Sequence, residues 1–188
     1  MKKNLGTQRA VFPMPVLIVA AYDENGKVNA MNAAWGGQWD MHEIIISLGS
    51  HATTDNLKVN GDFTVAFATK DTMIASDYVG IVSGRKQKDK IAKTGWSTSK
   101  APNVNAPLFS DFPMTLESRV KQKMDESDSG CYLIAEIVNI LCDEVYLGED
   151  GNPDMEKMCL ITYNPINHTY VQLGATVGKA FSDGKKLN

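Results

Sequence analysis

The sequence predicts a mainly β fold, an antiparallel barrel with a few peripheral α-helices. Three observations lead there. Six or more short runs rich in β-branched and aromatic residues recur at irregular spacing, only two or three stretches carry a helical pattern, and Asn25-Gly26 supplies a hairpin turn between the first two strands. The 188 residues suffice for one well-packed domain over 1–188 and are too few for two ordinary ones. No internal repeat, low-complexity tract or linker divides them.

In chain order, Val16–Ala21 is a continuous apolar run, the pattern of a buried strand. Asp23–Gly26 turns, and Lys27–Met31 returns antiparallel. Ile44–Leu48 is another β-branched run, ended by Gly49-Ser50. Thr53–Gly61 reads as a two-turn helix, capped by a threonine and stopped by Asn60-Gly61. Phe63–Ala68 is a third core strand. Asp71 or Thr72 caps a second helix from Met73 to about Val82, with Ile74, Tyr78 and Ile81 on one face. A short helical turn through Ile91 ends at Gly95, and Pro102, Pro107 and Pro113 mark residues 97–113 as an irregular surface loop. Met114–Lys123 alternates apolar and polar, Asp125–Gly130 turns, and Cys131–Val145 is a long strand with Leu133, Ala135, Ile137 and Asn139 on one face. Short strands follow at Leu160–Tyr163 and Thr169–Leu173. The tail from Gly174 holds Val177, Ala180 and Phe181 and is expected to dock in part.

A net charge of −3 favours neither nucleic acid nor an anionic membrane as a partner. Three cysteines without CxxC spacing suit reduced thiols better than a disulfide framework. Pro13 and Pro15 interrupt the apolar run after Met1-Lys2-Lys3, which makes a poor signal peptide, and no stretch is long enough to span a bilayer. A cytoplasmic protein is expected. P-loop and Rossmann fingerprints are absent, His42, His51 and His168 lack metal-ligand spacing, and no catalytic nucleophile, acid or base has positive support.

Chemistry concentrates in three stretches. In Asn29-Ala30-Met31-Asn32-Ala33-Ala34-Trp35-Gly36-Gly37, small residues permit close backbone approach, asparagines supply amide donors and acceptors, and Trp35 supplies a flat wall. Two readings stand for it: a tight bend at a barrel corner, or a cradle for a planar hydrogen-bonding ring. Gly49-Ser50-His51-Ala52-Thr53 lies between a strand and a helix start, a place that suits either ordinary N-capping or an anion. Ser83-Gly84-Arg85-Lys86 is a small basic turn. Arginine suits phosphate, but Lys88, Asp89, Lys90 and Lys93 continue it as a solvated charge run, the simpler reading of these residues alone.

Together these segments make the chain resemble the flavin reductase-like FMN-binding split-barrel family, particularly its flavoredoxin-type members. The resemblance rests on Pro15-Val16 and Val19-Ala20 ahead of Asn29–Trp35, then His51-Ala52-Thr53-x-x-Asn56-Leu57 and Asn60-Gly61-Asp62-Phe63-x-Val65. It continues with Gly80-x-x-Ser83-Gly84-Arg85, Asp89-Lys90, Val104-x-Ala106-Pro107 and Tyr170-x-x-Leu173-Gly174-x-x-Val177-Gly178-Lys179-Ala180-Phe181. It implies a homodimer of antiparallel Greek-key split β-barrels, each binding FMN. Asn29, Ala30, Met31, Asn32, Ala33, Ala34 and Trp35 would line the isoalloxazine. Ser50, His51, Ala52, Thr53 and Asn56 would hold phosphate with Ser83, Gly84 and Arg85, and Lys179 and Phe181 would close over the ring or cross to the partner. Histidine at 51 departs from the arginine or lysine common in that turn. The resemblance further implies an NAD(P)H-dependent flavin reductase taking electrons from NADH or NADPH, with free flavin or a redox protein as acceptor. The alternatives are a flavoredoxin-like electron carrier with tightly bound FMN, and a degenerate split barrel binding another ligand.

Overall fold

The computed structural model describes residues 1–126 and 130–187. Its main sheet has seven strands, all paired antiparallel, and a second sheet of three strands packs beside it. The chain runs β1 (Met14–Pro15), β2 (Leu17–Tyr22), β3 (Val28–Ala33), β4 (Gly36–Asp40), β5 (Glu43–Gly49), α1 (Ala52–Asn60) and β6 (Asp62–Phe67). It continues with α2 (Met73–Ile81), α3 (Lys90–Thr94), β7 (Thr98–Lys100), β8 (Pro107–Phe109), β9 (Met114–Glu126), β10 (Gly130–Cys142), α4 (Met155–Met158), β11 (Ile161–Asn164) and β12 (Thr169–Gln172). The turn expected at Asp125–Gly130 rests on residues 127–129, which lie outside the described residues.

The order β3-β2-β6-β9-β10-β5-β4 forces the shape. β3 and β4 are opposite edges of the sheet, yet only Ala34 and Trp35 separate them in sequence. The sheet must therefore curl until its edges meet, giving a half-barrel closed at one seam. At that seam the Ser47 amide donates to the Trp35 carbonyl at 2.7 Å. Gly36 sits in the crease, where a Cβ would lie 2.8 Å from the Ile45 carbonyl oxygen and 3.3 Å from a Leu17 methyl, so no larger residue fits without backbone movement.

Strand alternation then sorts the side chains. Leu17, Val19, Met31, Ala33, Ile46, Leu48, Phe63, Val65, Leu116 and Leu133 face the interior, where Leu57 of α1 joins them. Ile18, Ala20, Ala30 and Ala66 face outward and are covered by Val79 of α2, Phe109, Phe112 and Ile161. Each fully buried side chain of this size contributes about 1.5–3 kcal/mol. Leu133, Ala135 and Ile137 share the interior face as expected. A register shift between Ile137 and Asn139 then turns Asn139 toward Glu117.

Four expectations are corrected. Residues 97–113 are not an irregular surface loop: β7 and β8 pair, and Ala101, Val104 and Ala106 form a buried cluster. The fully buried Glu117 carboxylate holds this segment, accepting from the Asn103 amide and from Asn103 Nδ2, each at 2.7 Å, and from Asn139 Nδ2 at 2.8 Å. Helix α2 does not bury an Ile74–Tyr78–Ile81 face. Its small side turns inward with Ser76 and Val79, Gly80 lies against the Asn32 side chain, and Ile74 and Ile81 remain 78% and 75% exposed. No threonine caps α1. His51 is the N-cap, while Thr53 and Thr54 lie buried within the first turn and Thr54 donates to the Gly49 carbonyl at 2.7 Å. The apolar residues of the tail do not pack on their own chain: Val177 and Phe181 are fully exposed, while nearer its start the Thr176 amide donates to Glu156 Oε1 at 2.7 Å. Its apolar residues are spaced by glycine and lysine and share no continuous face.

Candidate functional site

Four segments converge at the Asn29 end of β3. β5 stops at Gly49, Ser50 turns the chain, and His51 begins α1 in extended conformation, φ −124° and ψ 161°. No side chain caps the helix, so its first-turn N–H groups and the positive end of its dipole are presented there. Arg85 reaches across from the segment after α2. Its Nη2 donates to Asp55 Oδ2 at 2.7 Å and to Ser50 Oγ at 3.3 Å, and its own amide donates to Ser83 Oγ at 3.3 Å. Gly84 permits this closeness: a Cβ there would stand 2.6 Å from Asn29 Oδ1. Asn29 in turn donates to Thr53 Oγ1 at 3.1 Å.

These groups frame a cavity of 120 Å³ whose walls include Asn29, Ala52, Asn56, Gly84, Arg85 and Lys90. Lys90 is buried, at 3% exposure, and its Nζ donates to the carbonyls of Val79 at 3.2 Å and Val82 at 3.0 Å. Burial pushes its pKa down to about 8. His51 is also held below its ordinary value, first by burial and then by the positive charges of Lys90 and Arg85, with Asp55 opposing. The positive charges of Lys90 and Arg85 thus disfavour protonation of His51, and Asp55 partly offsets them.

Two larger cavities meet at Ala34, the far end of the stretch. One, of 340 Å³, lies on the outer face of β3 between Asn32, Asp77, Gly80, Tyr163, His168 and Tyr170. Tyr170 donates to Asp77 Oδ1 at 2.8 Å, and burial followed by Asp77 raises its pKa. Asn32 Nδ2 donates to the Ser76 carbonyl at 3.2 Å, and the Tyr163 hydroxyl pairs with His168 Nδ1 at 2.8 Å. The other, of 650 Å³ and mostly apolar, lies between Trp35, Ile45, Ser47, Tyr132 and the N-terminal segment around Arg9 and Pro13.

The structure thus gathers Asn29, Ser50, His51, Ala52, Thr53, Asn56, Ser83, Gly84 and Arg85 at one end of β3. It places Asn32, Ala34 and Trp35 along or beyond the other. Asn29 and Asn32, three residues apart on a strand, point to opposite faces. The side chains of Ala30, Met31 and Ala33 are buried in the packing. Lys179 and Phe181 line none of the three cavities. Sequence reading missed Asp55, Asp77, Tyr163 and Tyr170, which chain order does not connect to the site. It also placed Lys90 in a solvated charge run. The one available signal was the Asp89-Lys90 pair that followed the basic turn.

The family model described as Flavin reductase like domain matches residues 8–159. The chain belongs to that family. No curated protein matches it. Among solved structures, the flavoredoxin of Desulfovibrio vulgaris (Miyazaki F) is 32% identical, with 98% of this chain and 100% of that one covered and a TM-score of 0.91. The flavoredoxin from Methanosarcina acetivorans is 26% identical, with complete coverage of both chains and a TM-score of 0.90. An FMN-binding protein from Thermus thermophilus, 16% identical, shares the fold with a TM-score of 0.76 over 95% of this chain and 100% of that one. The architecture is therefore the flavin reductase-like split barrel. Among the described residues, no helix is long and apolar enough to cross a membrane.

Proposed function

We propose that this flavin reductase-like protein is an FMN-binding oxidoreductase, acting as an NAD(P)H-dependent flavin reductase. The observation that carries the reading is the cation excess at the Asn29 end of β3, where Arg85, Lys90 and His51 meet an uncapped helix start. A phosphate dianion fits that chemistry: arginine bonds two oxygens, and a helix N-terminus supplies N–H donors. Ser50, His51, Ala52, Thr53, Asn56, Ser83, Gly84 and Arg85 would hold it there. β3 is a sheet edge, so alternate backbone groups from Asn29 through Ala33 face outward and can bond a heterocycle, with Ala34 and Trp35 as its wall. When bound, FMN would supply the redox chemistry, with NADH or NADPH as hydride donor and free flavin or a redox protein as acceptor. The protein's part is to hold the ring, keep one face open and exclude water from the other. No side chain is required as acid or base.

A homodimer is the working form in this reading. Trp39, Met41, Ile74 and Ile81 are exposed and apolar, and Lys179 and Phe181 are free to close over the ring or cross to a second copy. Sedimentation tests this, and a monomer at micromolar concentration would exclude it. A cytoplasmic location fits the same picture. A second reading, an electron carrier with tightly bound FMN, is favoured by the likeness to flavoredoxin at 32% identity.

Titration with FMN followed by NADH and NADPH oxidation assays separates the readings. Turnover that rises with added free flavin supports the reductase. Bound, non-exchanging FMN inert to both nicotinamides supports the carrier. Protein that acquires no flavin spectrum defeats both and leaves a split barrel for another ligand.

A further inference from the structure

We propose that the 340 Å³ cavity on the outer face of β3 takes a second substrate, a small uncharged quinone, and that the Tyr163 hydroxyl donates a proton its reduction requires. The inference rests on the flavin reading above and goes beyond it by naming a class of small-molecule acceptor and its proton donor. The cavity shares Asn32 and Ala34 with the stretch read as the ring cradle, so a molecule inside it borders the place expected for the flavin. Its volume lies within the range of small-ligand sites, about 300–1,000 Å³.

Two aromatic side chains wall it, with the Tyr163 and Tyr170 rings 5.9 Å apart and inclined at 50°, which suits a flat guest. The polar groups differ in what they are already bonded to. Asn32 gives its amide to the Ser76 carbonyl at 3.2 Å, and Tyr170 gives its hydroxyl to Asp77 at 2.8 Å. Burial and then Asp77 push the Tyr170 pKa up, so that hydroxyl keeps its proton. Tyr163 is different, because its hydroxyl lies 2.8 Å from Nδ1 of His168, a group that can replace a lost proton. His168 ends the β11–β12 turn at φ 54°, and Tyr163 pairs in register with Tyr170, so one short hairpin holds all three rings. With Nδ1 protonated, His168 donates to the Tyr163 oxygen and leaves the hydroxyl proton for a guest. Flavin reduction as read above gives this pair no task. Among the described residues lining the cavity, Asp77 is the one carboxylate and there is no lysine or arginine. Anionic acceptors are therefore repelled and a neutral carbonyl compound is admitted.

The quinone gains two electrons as a hydride from bound dihydroflavin on one oxygen, and a proton from Tyr163 on the other. Its two C=O groups become C–OH groups, the flavin is oxidised by two electrons and the Tyr163 O–H bond breaks. His168 then returns a proton to the tyrosinate, and solvent reprotonates the imidazole.

The test uses menadione, an uncharged naphthoquinone, and an anionic relative, naphthoquinone sulfonate. In equilibrium dialysis, flavin-free protein should bind menadione about tenfold more tightly than the sulfonate, and Asp77→Asn should bring the two within about threefold. FMN-loaded protein should bind menadione equally well. Displacement of menadione by FMN assigns the cavity to the flavin and overturns the proposal, as does an absence of menadione binding. Reoxidation of the dithionite-reduced holoprotein by menadione, followed by flavin absorbance without oxygen, then reads the proton step. Tyr163→Phe should keep the menadione Kd within about twofold and slow reoxidation about 100-fold. His168→Gly, which suits the left-handed turn, should slow it about tenfold and recover when imidazole is added. Equal rates in the wild type and Tyr163→Phe overturn the role of Tyr163. Should FMN itself fail to bind, the flavin reading and the reduction step fail together, while the dialysis of menadione and the sulfonate still decides the cavity.

Discussion

Two polar clusters in this molecule have opposite characters. Around Glu117, one fully buried carboxylate meets two asparagine side chains and a backbone amide, all within 2.8 Å. Donors and acceptor match, and the cluster ties the 97–113 segment to the long β9–β10 ladder. Around Arg85, the basic side chains of Lys88, Lys90 and His51 gather beside an open cavity, with Asp55 paired to Arg85 and Asp23 on the cavity wall. A matched network of this kind builds structure, while the second cluster, with its surplus of positive charge, is the one proposed above to bind an anion.

Removing the matched carboxylate should have the largest effect. Glu117→Ala removes the buried acceptor of three donors and is expected to cost about 3 kcal/mol in urea unfolding, with FMN affinity in the surviving folded fraction unchanged. An equally large loss of flavin affinity would erase the distinction between the clusters. Arg85→Ala should behave in the opposite way, weakening FMN about 30-fold while moving the melting temperature little, because its pairing with Asp55 is half exposed.

Acid sharpens the contrast. Burial alone would raise the Glu117 pKa, but its bonds to Asn103 and Asn139 outweigh this and hold it below the ordinary value. Its contribution to stability is therefore complete above the unfolded pKa of about 4.3 and lost as pH falls through the lower folded value. Glu117→Gln should flatten that acid limb of a stability profile. If the limb keeps its slope, the carboxylate is not its source.

Smaller effects belong to His51. His51→Arg should tighten FMN about fivefold, since a permanent charge replaces one largely absent at pH 7. Unchanged or weaker affinity would argue against phosphate beside residue 51. The folded-state pKa of His51 is depressed, so it favours the fold above pH 6.5 and loses that contribution as pH falls. An anion nearby reverses the shift. FMN binding near pH 6 should thus take up a fraction of a proton, readable by calorimetry in buffers of different ionisation enthalpy, and no uptake would place the anion elsewhere.

Much of the fold was readable beforehand because periodicity and turn residues are local. The strand runs from Val16, Ile44, Phe63 and Cys131, the Asn25-Gly26 hairpin and the Gly61 stop are set by neighbours a few positions away. The apolar face expected for α2 fails because its packing partner, β3, takes a small residue there: Gly80 sits on Asn32. The 97–113 segment looked like a loop because its anchor, Glu117, lies fourteen residues beyond Asn103 and reads locally as one polar position in an alternating strand.

The same division runs through the site. The sequence by itself determined which residue types were available: asparagines and small residues before a tryptophan, a strand-to-helix turn with Ser50 and His51, and a basic turn at Arg85. Each is a local pattern with its own chemistry. Only the tertiary structure decided that the first stretch is corner and edge strand at once, since β3 and β4 meet only when seven strands curl. Only it decided that Arg85 crosses to Ser50 and that Lys90 turns inward. Those placements depend on contacts 30 or more residues apart, or on the burial of a long side chain, and no local pattern encodes either.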